Sequence, residues 1–166
     1  MLELKRLSPE AIPAALEKAH HYRLLNEPTE AQSICLDVLE VDPANQRALV
    51  LLLLSWTDRF DRGGGRSYSA ALELVPRLES PYARAYYEGI VLERWAKAKL
   101  RRGGIGASAG FHDLLRRAMA MFEQAAAIRP AGEDEALLRW NTCLRLLETG
   151  RETDHAASDP QDLMLE

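Results

Sequence analysis

The chain of 166 residues predicts an all-α fold built from antiparallel helical hairpins. Apolar residues recur at steps of three and four through most of its length, the period of one helix face. Proline and glycine gather at the breaks between those stretches. Ala, Leu, Glu and Arg are abundant while Val, Ile and Thr are few, a balance that favours helix over strand. A hydrophobic content of 47% at this length allows one domain with a real core. The expectation is about seven helices across residues 9–149 and an acidic, disordered tail over 150–166.

Ser8-Pro9-Glu10 opens the first helix, with proline where its missing N–H does no harm. Pro13 places either a short turn before that helix or its start near Ile12. Leu16, Ala19, Leu24 and Leu25 give it an apolar face. Asn26-Glu27-Pro28 closes it, because Pro28 disfavours helical geometry at Glu27. The second helix runs from Pro28 to Val41 and stops at Asp42-Pro43. The third, Ala44 to about Phe60, is apolar nearly all round and belongs in the centre of the stack. Asp61-Arg62-Gly63-Gly64-Gly65 reads as a flexible turn. The fourth helix carries Tyr68, Ala71, Leu72, Val75 and Leu78, and Pro76 should perturb its last turn. Ser80-Pro81 repeats the starting signal, and the fifth helix extends to Arg102 with a basic end. A glycine-rich loop, Gly103 to Gly110, precedes a sixth helix from about Phe111 to Ile128. The seventh covers about Glu133 to Thr149, with an apolar face of Leu137, Trp140, Leu144 and Leu147 and a stop at Gly150.

Two stretches carry a resemblance. In Leu16 to Pro43, Ala19, Tyr22, Ala31, Cys35 and Val38 lead to Pro43. In the sixth helix Ala118, Phe122, Ala125 and Pro130 follow Ala-x3-Phe-x2-Ala-x4-Pro. These spacings resemble the tetratricopeptide repeat, a helical hairpin of about 34 residues. The corresponding Ala31, Ala71 and Ala118 are spaced by 40 and 47 residues, the excess falling in glycine-rich stretches. The middle unit departs from the pattern, with Val75 and Leu78 in place of the aromatic residue and alanine. The resemblance covers roughly residues 9–149. It implies small residues at helix crossings, a concave face formed by the first helix of each pair, and a protein or peptide partner. On that register His20, Arg23, Arg47, Val50, Leu54, Tyr86 and Arg94 face the groove. Their mixed basic and apolar character suits an acidic, partly apolar segment.

Residues 150–166 hold five acids and one base, which accounts for the whole formal charge of −4 and leaves residues 1–149 neutral. A neutral body argues against nucleic acid, which calls for a basic surface. The longest apolar run, Ala48 to Leu54, is far shorter than the ~20 residues that span a bilayer. MLELKRLSPE has no apolar signal core, so the expected location is the cytoplasm. Cys35 and Cys143 read as small buried thiols. His20-His21 points its rings about 100° apart on a helix and does not share a metal ion. No catalytic arrangement, metal site or cofactor is expected. The alternative reading is a phosphate- or small-molecule-binding helical protein or enzyme. It centres on the 103–110 loop, with Arg101, Arg102, Arg116 and Arg117 around an anion at the start of the sixth helix. That loop lacks the Lys-Ser/Thr ending of a phosphate-binding loop and follows a helix rather than a strand.

Overall fold

The structure, a computed structural model, describes residues 2–156. Seven α-helices pack against one another in sequence order: α1 (Ile12–Leu24), α2 (Pro28–Val41), α3 (Gln46–Thr57), α4 (Phe60–Leu74), α5 (Pro81–Arg102), α6 (Ala107–Ala127) and α7 (Glu135–Ala156). No strand occurs among the described residues. Short 3-10 turns precede α1 at Pro9–Ala11 and follow α4 at Val75–Arg77, the latter where Pro76 breaks the helix.

The helix ends follow from local chemistry. Asn26 takes a left-handed conformation (φ 59°), which its short polar side chain tolerates. The Glu27 N–H then donates to the Tyr22 carbonyl at 2.9 Å and the Asn26 N–H to Arg23 at 3.0 Å, closing α1 in a Schellman pattern. Pro28 can begin α2 at once. The Asn45 side chain accepts the Ala48 N–H at 2.9 Å and starts α3. Ser80 does the same for α5, accepting from Ala83 at 3.3 Å.

Two apolar clusters form the core. One gathers α1 to α4 with Val91 and Ala98 of α5, and the other gathers α5 to α7. Leu54, Tyr68, Tyr87 and Trp95 pack against both. Tyr68 stacks on Trp95 at 4.9 Å, and Phe60 meets Trp95 edge-on at 5.4 Å. Ala31, Ala71 and Ala118 are fully buried. α3 is buried on most sides, and of its large apolar residues only Val50, Leu54 and Trp56 stay half-exposed.

The boundaries depart from expectation in three places. α3 ends at Thr57, and Phe60, buried against Tyr68 and Trp95, draws residues 60–63 into the first turn of α4. The glycine run thus lies inside α4, broken only at Gly64 (φ 57°, ψ −145°). α6 starts at Ala107 rather than Phe111, so the loop shortens to Gly103–Gly106. α7 begins at Glu135 and passes through Gly150 to Ala156, since one helical glycine costs only about 1 kcal/mol. The expected tail therefore overlaps α7 up to Ala156, and the rest of it, 157–166, lies outside the described residues. The buried stripe of α7 is Ala136, Cys143 and Leu147, with Leu137 exposed and Trp140 and Leu144 half-buried. The small side chains of Ala136 and Cys143 admit close packing along this stripe, and Leu137, next to Ala136 and off the stripe, points outward.

Candidate functional site

The odd-numbered helices run in the same direction along one face. Glu17 and then Arg23 of α1 meet Arg47 and then Asp58, at the end of α3. Tyr86 and then Glu93 of α5 meet Glu135 and then Arg139 of α7. Arg94 of α5 reaches back to Thr57 and Asp58.

A groove of about 490 Å³ opens between α1 and α3 on this face. His20 and Arg23 line it from α1, and Gln46, Arg47, Val50, Leu51 and Leu54 line it from α3. Helical spacing places them: 47, 50, 51 and 54 fall on one side of a helix. Five of the seven residues expected at a binding face thus come together. Val50 and Leu54 form an apolar floor, while Arg47 and His20 stand exposed on the rim. Arg47 pairs with Glu17, which holds the Glu17 carboxyl below its ordinary range through that hydrogen bond and charge.

Arg94 sits beside the groove in a polar network. The Arg23 guanidinium donates to both Asp58 oxygens, Nε at 2.8 Å and Nη2 at 3.2 Å. Such a two-pronged pair fixes orientation as well as charge. Arg94 Nη1 donates to Asp58 Oδ1 at 2.8 Å and to Thr57 Oγ1 at 2.7 Å. Burial pushes the Arg94 pKa down, against the pull of Asp58. One carboxylate therefore holds two arginines from two helices.

Further along the face a polar pocket of about 330 Å³ includes Glu93, Arg94, Lys97, Arg101 and Arg139. The Glu93 side chain is wholly buried. Its Oε1 accepts from Lys97 Nζ at 2.5 Å and from Arg139 Nη1 at 3.4 Å. Burial by itself would lower the Arg139 pKa, but the Glu93 charge and the Tyr86 hydroxyl outweigh it and raise it. Six cations on this face (Arg23, Arg47, Arg94, Lys97, Arg101 and Arg139) stand among five carboxylates (Glu17, Asp58, Asp61, Glu93 and Glu135).

Tyr86 differs from expectation. It is buried against Phe122, and its hydroxyl donates to Glu135 Oε2 at 2.7 Å. Burial first, and that hydrogen bond second, push its pKa well up. It joins α5 to α7 and does not line the groove, because the α5 face that carries it is covered by α6 and α7. Asp58, Lys97, Glu93 and Arg139 were missed by sequence reading. A signal existed for Glu93, a lone acid directly after Ile90-Val91-Leu92. Asp58 had none, since its importance lies in contacts with residues 35 and 36 positions away.

The four loop arginines do not assemble into one site. Arg101 is paired with Asp61 at 2.9 Å. Arg102 donates to the Phe60 carbonyl and lies 5.3 Å from the Trp95 ring centre. Arg116 and Arg117 are exposed in the third turn of α6, at least ~14 Å along the axis from its start. His20 and His21 are both exposed. Among the described residues no group of three or more His, Cys, Asp or Glu could hold a metal ion, and no helix is long and apolar enough to cross a membrane. Compared with protein-family models, curated proteins and solved structures, the chain gives no match.

Proposed function

We propose that this chain is a protein-binding adaptor of tetratricopeptide-like design, working in the cytoplasm without catalytic activity. The observation that carries the reading is the α1–α3 groove, an apolar floor of Val50 and Leu54 under a basic rim. An extended segment with a few apolar side chains among acidic ones complements it: the floor takes the apolar groups, and Arg47 with the cations of the adjoining pocket takes the carboxylates. The buried Ala31, Ala71 and Ala118 support the repeat reading, since each stands where that design calls for a small residue. The phosphate-binding alternative has less support, because Arg101 and Arg102 are engaged with Asp61 and Phe60.

The test is fluorescence anisotropy with a library of acidic peptides bearing short apolar triplets. Binding that weakens with salt and is lost in Arg47→Glu/Val50→Asp supports the reading. An equal response of that variant and the parent chain would place binding elsewhere. Absence of any peptide binding, together with thermal stabilisation by inorganic phosphate, would favour the alternative.

A further inference from the structure

The sequence beyond α7 has the chemistry that the groove face complements. Residues 157–166 contain Asp159, Asp162 and Glu166, no basic residue, and the apolar triplet Leu163-Met164-Leu165. Beside the Val50 and Leu54 floor stand Arg23 and Arg47, and the adjoining pocket adds Arg94, Lys97, Arg101 and Arg139 against Asp58, Asp61 and Glu93, one cation more than carboxylates.

Distance decides which copy supplies the segment. α7 runs 17 residues beyond Arg139 to Ala156, or ~25 Å along its axis. Leu163 to Leu165 lie seven to nine residues past Ala156, a reach of at most ~23–32 Å when fully extended. The return to the level of Arg139 and then back to Leu54 takes ~30 Å, and two interhelical spacings of ~8–10 Å must also be crossed. The diagonal exceeds ~33 Å, so the triplet falls short of the groove of its own chain. A second copy has no such limit.

We propose that the α1–α3 groove binds residues 157–166 of a second copy of this chain, the triplet on Val50 and Leu54 and the acids against exposed Arg47 and the cations of the adjoining pocket. The proposal rests on the groove being a peptide site. It makes this chain's own segment a ligand that any other partner must displace.

The test is sedimentation velocity on the full chain over a wide concentration range, with two variants. Leu163→Ser/Leu165→Ser alters the ligand, and Arg47→Glu/Val50→Asp alters the groove on side chains that stand outside the fully buried core. The expected result is concentration-dependent association of the parent chain. It should weaken at least ~tenfold toward 1 M salt, where the screening length falls to ~3 Å. Each variant alone should be monomeric, with unchanged helical circular dichroism. Their mixture should recover a one-to-one pair, because an intact segment then meets an intact groove. A parent chain that stays monomeric throughout overturns the proposal. So does association that survives the Leu163→Ser/Leu165→Ser change. If foreign acidic peptides still bind and the groove variant abolishes that binding, only the assignment of the occupant falls. If they do not bind either, the peptide-site reading falls with it.

Discussion

Gly89 shows how closely a single residue sets the α5–α6 crossing. A Cβ at this position would lie 2.6 Å from the Phe122 ring, and Phe122 is fully buried with nowhere to retreat. Gly89→Ala should therefore overpack and destabilise by about 1–3 kcal/mol, read as a lower urea midpoint. The cysteines illustrate burial acting on chemistry. Burial pushes both thiols up to about 12. Neither Cys35 nor Cys143 should react with a thiol reagent in the native chain at mildly alkaline pH, and both should react in urea. The same shift has a sign for stability. The native state keeps its thiol protons between about pH 9 and 12 while the unfolded chain loses them, so stability should fall as pH rises through that window. A urea midpoint that stays level across it would count against the buried placement of both thiols.

α4 carries the clearest test at the scale of an element. Its break at Gly64 uses a backbone geometry close to a region that only glycine occupies comfortably. Gly64 also lies against the Arg102 guanidinium, 3.7 Å from where a Cβ would stand. Gly64→Ala should cost about 1–3 kcal/mol through backbone strain. Gly65→Ala, with open space around it and no positive φ, should be neutral or stabilise by up to about 1 kcal/mol. Thermal denaturation of the pair separates a required break from a flexible run, since a flexible run would tolerate both changes alike.

For the molecule as a whole, Tyr68 and Trp95 tie the two apolar clusters into one cooperative unit. Trp95→Ala removes the side chain that Phe60 and Tyr68 meet from α4. Because Trp95 is only half-buried, the loss should fall toward the lower end of the ~3–5 kcal/mol seen for such truncations. The urea transition should also broaden, as residues 12–74 and 81–149 unfold with less coupling. Circular dichroism and, with Trp56→Phe added so that Trp140 of α7 is the remaining tryptophan, fluorescence should then give separate midpoints; coincident, steep transitions would show that other contacts carry the coupling.

The helical class, the order of the seven helices among the described residues and most of their ends were legible in the amino-acid sequence. Those properties are local: a repeating apolar face, a proline at a first turn, an Asn or Ser that caps. His20 and Arg23 of α1 and Arg47, Val50 and Leu54 of α3 also line one groove as expected, because helical spacing sets each group on one side of its helix. The remaining features depend on how the helices pack. Phe60 joined α4 because Trp95 and Tyr68 cover it, and Tyr86 turned inward because α6 and α7 close over its side of α5. Asp58 became the shared anchor of Arg23 and Arg94, and Glu93 the buried partner of Lys97 and Arg139. Charge pairing across helices depends on which helices become neighbours and at what level. Periodicity along one helix holds no record of that.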